Sequence, residues 1–584
     1  MRAALAFVLA AAAAAHLAGL RNGFVYDDHR FVDGNPALLS ASPAALLLDV
    51  STQTTDRDRD VYRPLRALGQ AFDARRWGSE PFGFHLHSLL VHLAAVAAGW
   101  GCLRRMLGET PALIGATVLA THPLGVEVVG WISSRGDEYA LLCGLLALWA
   151  AVAAEARREA GAGRRAGWLD VAAGALALLA VLGKESAVWV PLVVATHAAL
   201  LRPGRRRWTA ALTATLVGAG VALAVRQWAL SGASPVQTTP HGGSFAAQVG
   251  WALFGLGRTL LHLVWPAGLR IDYPQEAWGS GFAGWWQLPT LLAVAAVGAA
   301  VAWRRRRPEA AFLLTWVLLA YLPSSSLLVT LRSLLTDRAA YPLLLPAGAL
   351  AGLALRGRSK TAVGAGAGAA ALLLVPLAVQ RTRDFESDLT LWRAELRQGP
   401  GTVQTHLGLA AAAVDLDERE AELRSAAALA PADSRLEGAA LARWGDFLLR
   451  LRSDPAAAVP LLERSLDVQR RTRERRAPGS DEAATAAALA EGLSWMGRGE
   501  DAERVLGLAI AEQPGVLALH VKRASLALWR AEHGGSAGDL EVARQALASA
   551  RALSADDPLV AALAHKLEQL ETVKPVETVE PPSR

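Results

Sequence analysis

The sequence predicts an all-α protein in two parts: a bundle of membrane-spanning helices over residues 1–380, and a helical repeat domain over residues 381–572. Three observations support this prediction. The chain is 53% hydrophobic, which is high for a soluble globular protein. Its long apolar runs lie before residue 381, and a charged composition follows them. With 584 residues, the chain is also long enough for two domains.

The apolar runs of the first part predict about eleven membrane crossings, because a spanning helix needs about 20 mostly apolar residues. Backbone polar groups in lipid must be satisfied within the segment, so these runs are expected to be helices. The run 246–266 contains Arg258 and His262 and is expected to be interfacial or re-entrant. The predicted spans lie near residues 3–20, 84–103, 111–129, 138–154, 168–183, 186–201, 208–229, 287–303, 309–329, 338–355 and 361–380.

The arginine-rich loops between these runs predict the orientation, since short cytoplasmic loops carry an excess of Lys and Arg. They fall on one side if residues 1–20 cross from inside to outside, which places the C-terminal half outside. Residues 1–20 could instead be a cleaved signal peptide, and residues 21–83 lie outside in either case. The arginines of these loops then account for the net charge of +6, and no nucleic-acid partner is predicted.

Two adjacent carboxylates, Asp27 and Asp28, follow Tyr26 in the first outside loop. A carboxylate at the lipid boundary can deprotonate a hydroxyl nucleophile within hydrogen-bond reach, so the pair is a candidate acid/base or metal site. A solvated loop with a helix-capping Asp is the other interpretation, and the spacing does not decide between them.

The nearby histidines do not predict a metal site. His85, His87 and His92 lie at the entrance of the next helix, but no carboxylate or cysteine completes a ligand pattern, so interfacial histidines are favoured. Cys102 and Cys143 lie in apolar runs and are expected to be small buried hydrophobes. The sequence requires no cofactor, and the question of a divalent metal is left open.

Four basic residues outside the membrane are candidates for binding a phosphate group. Arg135 stands in a short outside loop against the positive-inside bias, and a phosphate would explain it. A local pair with Asp137 or Glu138 is the alternative explanation. The hypothesis is that the four converge on one anionic headgroup; they are Arg135, Lys184, Arg332 and Arg338.

Further polar residues recur at the same outside turns. Ionisable residues at membrane depth are costly and usually face a cavity, which makes them site candidates. They are Tyr26, Arg63, His122, Glu127, Asp137, Glu185, Asp337 and Tyr341.

Taken together, these motifs resemble the transmembrane and tetratricopeptide-repeat-containing O-mannosyltransferase family, including its bacterial relatives. No single motif is diagnostic, but the ordered set covers nearly the whole chain. The motifs are residues 25–28 with 35–36, residues 62–64, residues 121–142, residues 183–185, and residues 336–338 with Tyr341.

This resemblance implies a GT-C glycosyltransferase fold and an inverting transfer of a sugar, often mannose, from a polyprenyl- or dolichyl-phosphate carrier to a Ser or Thr hydroxyl. It places the catalytic acidic pair on Asp27 and Asp28, with Asp27 as the base and Asp28 orienting the site or binding the acceptor. One departure concerns Arg338, which is followed by Ala339 where the family usually has Tyr. That departure bears on the donor more than on the reaction class.

The second part resembles tetratricopeptide repeats, in which small residues let paired helices pack closely. Residues 493–514 carry the clearest copy, and Ala543, Ala550 and Pro558 echo Ala502, Ala509 and Pro514. A plain helical bundle is the alternative. Such a domain would hold an acceptor protein near the active site. Residues 573–584 are expected to be disordered.

Two other functions remain open: the same donor chemistry with a lipid or polysaccharide acceptor, and a non-catalytic scaffold or transporter. The charges cluster at the outer boundary rather than at mid-membrane, which disfavours a transporter. The Ala- and Arg-rich composition favours a bacterial inner membrane, with the site facing the periplasm.

Overall fold

The structure is a computed structural model that describes residues 2–54, 61–202, 209–231, 241–273, 287–331, 333, 335–473, 480–534 and 537–572. The described residues are helical and contain no strand, which confirms the predicted all-α class. The chain divides into two compact units, Met1–Thr402 and Val403–Arg584. Arg332 and the predicted disordered tail, residues 573–584, lie outside the described residues.

The first unit holds the apolar helices together with short helices that carry the site. Its helices are α1 (Arg2–His16), α2 (Ala37–Ser40), α3 (Pro43–Leu48), α4 (Pro64–Trp77), α5 (Pro81–Leu107), α6 (Glu109–Thr121), α7 (Val126–Gly130), α8 (Arg135–Glu159), α9 (Gly163–Gly183), α10 (Trp189–Leu201), α11 (Thr209–Ala229), α12 (Phe245–Val264), α13 (Gln287–Trp303), α14 (Pro308–Tyr321), α15 (Tyr341–Ala354), α16 (Lys360–Asp384) and α17 (Asp388–Arg397).

Six helices in the described part of the chain are long and apolar enough to cross a membrane, or seven if one bent pair is a single span. This supports an integral membrane protein. The number is below the eleven crossings predicted because several predicted runs form helices shorter than a full span: α10 has 13 residues, and α14 and α15 have 14 each. The run 246–266 forms α12, which is not among the candidate spans.

The predicted span 111–129 is broken. Its halves, Glu109–Thr121 and Pro123–Gly130, meet at an angle of 57°. Pro123 disfavours the helical conformation for the residue before it, and His122 accordingly has an extended backbone with φ −75° and ψ 132°. After the break, Glu127 of α7 pairs with Arg338, which lies in the turn before α15.

Glycines bring neighbouring helices into close contact, which is how helices associate in membranes without a large hydrophobic gain. A Cβ on Gly218 would lie 2.0 Å from the backbone oxygen of Gly174, so α9 and α11 pack backbone against backbone. The same holds between α12 and α13, where a Cβ on Gly257 would lie 1.6 Å from the oxygen of Pro289.

The first unit extends past residue 380, the boundary predicted from composition, and includes α17. The reason is a buried polar anchor. Glu395 is fully buried, accepts a hydrogen bond from the Ile271 backbone N–H at 3.1 Å, and pairs with Arg270 at 3.3 Å. Trp392 on the same helix is 2% exposed.

The second unit consists of consecutive packed helices with two apolar core clusters, one within residues 403–526 and one within residues 524–567. Small residues occupy its tightest contacts, as the repeat pattern predicted: Ala502 and Ala509 are buried, and a Cβ on Gly445 would lie 2.6 Å from Leu462. Its helices are α18 (Val403–Ala412), α19 (Leu416–Leu429), α20 (Arg435–Arg450), α21 (Pro455–Arg471), α22 (Ser480–Trp495), α23 (Gly499–Glu512), α24 (Leu517–Glu532), α25 (Ala537–Leu553) and α26 (Pro558–Thr572).

Candidate active site

Asp28 is a buried anchor for the first loop. Its carboxylate is fully buried; Oδ1 accepts hydrogen bonds from the Ser133 backbone N–H at 2.7 Å and hydroxyl at 2.5 Å, and Oδ2 accepts one from the Val25 N–H at 3.2 Å. Burial raises the pKa of Asp28 to about 7, while these donors act to lower it. Both oxygens are occupied, so Asp28 ties the loop to residues 131–135.

Asp27 differs from its neighbour because its side chain is only partly buried. Its backbone oxygen accepts hydrogen bonds from the N–H groups of Arg30 and Phe31, which fixes the turn that carries it. Its negative charge acts on the Tyr26 hydroxyl and on the Arg66 guanidinium. The adjacent carboxylates therefore have separate environments, one internal and one facing the charged residues described below.

Tyr26 holds the turn in a strained conformation. Its φ of 52° lies in the left-handed region, which bulky residues rarely adopt. Its ring stacks on Trp131 with centroids 5.5 Å apart and meets Trp392 edge-on at 5.1 Å. Burial, followed by the charge of Asp27, raises the pKa of the Tyr26 hydroxyl. Strain of this kind persists only where its surroundings enforce it, and such positions cluster at active sites.

Asp388, the first residue of α17, is the group that enforces this conformation. Its Oδ1 accepts the Tyr26 backbone N–H at 2.7 Å, and its Oδ2 lies 2.8 Å from His29 Nε2. Burial acts to lower the pKa of His29, but the carboxylates of Asp388 and Asp33 raise it overall. One carboxylate thus clamps both sides of Asp27 and Asp28, and sequence reasoning missed it because 359 residues separate Asp388 from His29.

Three cations gather beside this turn, each held by its own carboxylate. Burial, and then the positive charges of Arg63 and Arg338, act to lower the pKa of Lys184, so the three lie within electrostatic range of each other. The guanidinium of Arg338 also lies 5.2 Å from the Trp131 ring. The pairs are Arg63 with Glu185 at 2.9 Å, Lys184 with Asp137 at 2.6 Å, and Arg338 with Glu127 at 2.6 Å.

These pairs bring six of the predicted site residues together: Arg63, Glu127, Asp137, Lys184, Glu185 and Arg338. Arg63 and Arg338 each keep 24% of the side chain exposed, so they can reach a ligand. We call these six residues the charged cluster. Asp27 joins it electrostatically, because the charges of both Asp27 and Arg338 act on Tyr26.

Arg66 was not predicted as a site residue. It is 1% exposed, its guanidinium lies 4.1 Å from the Phe31 ring, and its Nε and Nη2 have no hydrogen-bond partner among the described residues. Burial, followed by the charge of Arg63, lowers its pKa to about 9. The signal was available, since Arg66 lies in the first turn of α4, three residues after the predicted site residue Arg63.

Arg135, a predicted phosphate ligand, lies instead inside the bundle. It is fully buried; its Nε donates to Ser88 Oγ at 3.1 Å, its Nη2 donates to the Phe84 oxygen at 2.6 Å, and its Nη1 pairs with Asp73. Its ion pair is with Asp73, and not with Asp137 or Glu138 as in the alternative explanation. An arginine with its nitrogens so engaged holds α4, α5 and α8 together.

Three other predicted site residues occupy structural positions. His122 Nδ1 accepts the Leu124 N–H at 3.2 Å, and its Nε2 contacts the Leu263 oxygen at 3.2 Å, which fixes the helix break. Tyr341 is fully buried, with its hydroxyl 2.8 Å from His92.

Asp337 is the third. It is buried and accepts the Tyr273 hydroxyl at 2.6 Å, while its other oxygen has no partner among the described residues. Burial, followed by the charge of Glu127, raises its pKa. The described residues also contain no group of three or more His, Cys, Asp or Glu placed to hold a metal ion.

Part of this chain is similar to proteins of known family. Residues 70–229 match the family model for dolichyl-phosphate-mannose-protein mannosyltransferases. Protein O-mannosyl-transferase Tmtc2 of Drosophila melanogaster is 34% identical over 200 residues, 33% of this chain and 20% of that protein. This part of the chain is therefore similar to protein O-mannosyltransferases. Protein O-mannosyl-transferase TMTC2 of Homo sapiens is 29% identical over 189 residues, 32% of this chain and 22% of the human protein.

The matches to these O-mannosyltransferases span only about a fifth of each relative's length. Among solved structures, ArnT from Cupriavidus metallidurans bound to undecaprenyl phosphate aligns over 86% of this chain and 79% of its own. Its sequence identity is 14% and its TM-score is 0.37.

Proposed function

We propose that the protein transfers a sugar, with mannose as the first candidate, from a polyprenyl-phosphate carrier to a Ser or Thr hydroxyl of an exported protein. One observation carries the proposal: the partly buried Asp27 stands on a strained, clamped turn beside the charged cluster. A carboxylate base and preorganised cations are what such a transfer requires. The similarity to protein O-mannosyltransferases given above supports the same reaction class.

In the proposed reaction, the Asp27 carboxylate takes the proton from the acceptor hydroxyl. The hydroxyl oxygen forms a bond to the anomeric carbon of the sugar as the bond from that carbon to the phosphate oxygen breaks. The electron pair leaves with the polyprenyl phosphate. Attack on the face opposite the leaving group inverts the anomeric centre. Asp28 takes no part in bond making, because both its oxygens already accept hydrogen bonds.

The leaving phosphate gains negative charge in this step, and the proposed ligands for it are Arg63, Lys184 and Arg338. Guanidinium groups suit a phosphate because they donate two parallel hydrogen bonds. Arg66 supplies further positive charge within electrostatic range of Asp27 and Arg63. The proposal leaves out Arg135, whose donors are used inside the bundle, and the predicted ligand Arg332 lies outside the described residues.

The second unit is proposed to hold the acceptor protein. A stack of helix pairs offers an extended surface, and tethering the acceptor raises its effective concentration at the site. The proposed setting is a bacterial inner membrane, with the charged cluster and the repeats on the periplasmic side. The donor, the acceptor protein and the membrane are then the partners of this enzyme.

The test is sugar transfer in membranes that contain the full-length protein, supplied with labelled polyprenyl-phosphate mannose. Wild type is compared with Asp27→Asn and with Glu80→Gln, an exposed residue whose side chain makes no capping hydrogen bond to α5. Proteins and lipids are then analysed by mass spectrometry. We expect label on Ser or Thr with wild type and Glu80→Gln, and loss of label with Asp27→Asn.

Label on a lipid would instead support the alternative function, in which the same donor chemistry acts on a lipid acceptor. Equal transfer by Asp27→Asn and wild type would refute the role of Asp27 as the base. Transfer of a different sugar, found by repeating the assay with other polyprenyl-phosphate sugars, would change the donor and leave the mechanism in place.

A further inference from the structure

A second charged region lies at the opposite ends of the helices that position the charged cluster. α10 starts just after Lys184 and Glu185 and ends at Leu201, and α15 starts just after Arg338 and ends at Ala354. Between these far ends and the start of α14 opens a cavity of about 880 Å³. It is therefore separate from the site described above, by about 20 Å for a 13-residue helix.

The rim of this cavity is strongly basic. Arg202, Arg306, Arg307 and Arg356 line it, against a single carboxylate, Glu309. Glu309 is paired with Arg356, which also donates to the Leu107 oxygen at 2.7 Å. Arg202 also pairs with Glu159 at 4.0 Å, so Arg306 and Arg307 supply the surplus positive charge that favours an anion.

The wall below the rim is apolar and is built from leucines such as Leu200, Leu350 and Leu353. Trp303 stands at the boundary, a position that Trp prefers between hydrocarbon and headgroups, with the Arg307 guanidinium 5.9 Å from its ring. An apolar wall under a guanidinium rim matches a molecule with a charged head and hydrocarbon chains. A free phosphate ion would not use the apolar wall.

We propose that this cavity binds the headgroup of an anionic phospholipid, with the phosphate at the arginine rim and the acyl chains along the leucine wall. Basic pockets between membrane helices on the cytoplasmic side bind such headgroups in other proteins. The positive-inside rule explains arginines in a loop, but it does not require them to line a cavity. Arg164 and Arg165 illustrate the difference, since they are exposed at the start of α9 and do not line the cavity.

The test uses the purified full-length protein in detergent, titrated with phosphatidylglycerol, with phosphatidylcholine or with inorganic phosphate. Bound lipid is counted by native mass spectrometry, and the melting temperature is recorded in parallel. Arg306→Gln/Arg307→Gln removes two rim charges, and Arg164→Gln/Arg165→Gln is the matched control with the same change in net charge. We expect about tenfold weaker phosphatidylglycerol binding in the first variant, because charge-assisted contacts to phosphate are lost.

A second variant, Leu353→Trp, fills the apolar wall while it leaves the arginines in place, and it should also weaken phosphatidylglycerol binding. Its circular dichroism spectrum and elution volume must match wild type for that result to count. Equal binding of phosphatidylcholine and phosphatidylglycerol would overturn the proposal, and so would binding in Arg306→Gln/Arg307→Gln equal to that of the control. Displacement of the lipid by millimolar inorganic phosphate would indicate a free-anion site instead.

Discussion

Removing the Asp388 carboxylate should disable the active-site turn without unfolding the protein. Asp388 accepts the Tyr26 N–H at 2.7 Å and contacts His29 at 2.8 Å, and Tyr26 has a φ of 52°. Asp388→Ala deletes both contacts. The backbone strain at Tyr26, about 1–3 kcal/mol for such a conformation, then has less to oppose it.

The expected magnitude follows from these contacts. A hydrogen bond to a charged acceptor contributes about 1.5–3 kcal/mol, so the conformation that presents Asp27 should lose about 2 kcal/mol relative to a relaxed turn. Because each 1.4 kcal/mol is a factor of ten, transfer at saturating donor should fall by a factor of about 10 to 50. The buried core of α17, around Trp392 and Glu395, stays in place, so the melting temperature should change little.

The assay measures the initial rate of sugar transfer and limited proteolysis of the first loop in the same membranes. Asp388→Asn keeps one acceptor for the Tyr26 N–H and should restore most of the rate. Glu386→Ala changes an exposed carboxylate two residues away and should behave as wild type. A wild-type rate in Asp388→Ala, or an equal loss in Asp388→Asn and Asp388→Ala, would refute the reasoning that the carboxylate positions the turn through Tyr26.

Three further results are expected. Asp27→Asn should abolish transfer while the melting temperature remains that of wild type, because Asp27 is only partly buried whereas Asp28 is fully buried; a large drop in melting temperature would contradict that. Arg135→Gln should lower the free energy of unfolding by about 3–5 kcal/mol, measured by denaturant titration, since it leaves the Asp73 carboxylate buried without its arginine, and the KM for donor in the surviving folded protein should not change. The pKa of His29 is raised above its usual 6.5, so its contribution to the clamp is present below pH 6.5 and is lost as the pH rises through the raised value. In wild type, the resistance of the first loop to proteolysis should therefore fall over that pH range. In His29→Gln it should not change with pH.

Much of the fold is predictable from the sequence because apolar runs and helix lengths are local properties. The predicted spans near 84–103 and 361–380 correspond to α5 and α16, and the small residues of the repeats occupy the tight contacts expected of them. The break at Pro123 is also a local effect, but the hydropathy of residues 111–129 conceals it. The position of α17 could not be predicted, since it depends on the buried Glu395 meeting Arg270 from a distant segment.

The six residues of the charged cluster were named from the sequence, but Asp388 and Arg66 were not, and the separate environments of Asp27 and Asp28 were not predicted. Asp27 and Asp28 are adjacent residues of the same type, so the sequence does not distinguish them. The buried position of Asp28 depends on a hydrogen bond from Ser133, which is 105 residues away. Arg135 looked like a phosphate ligand because it breaks the positive-inside bias. The bias concerns exposed loops, and Arg135 satisfies its charge inside the bundle on Asp73.

The pairing of each cation in the charged cluster with a carboxylate bears on how the site could favour the transition state. Arg63, Lys184 and Arg338 are balanced by three carboxylates, so the cluster has no net charge and should bind the singly charged phosphodiester of the donor only modestly. In the proposed reaction, the leaving phosphate gains a further negative charge as the sugar bond breaks. Donors already fixed in place by their carboxylates interact most strongly at that stage, and interactions that strengthen toward the transition state are the ones that accelerate a reaction. An unpaired cluster would instead hold the charged product tightly and slow its release.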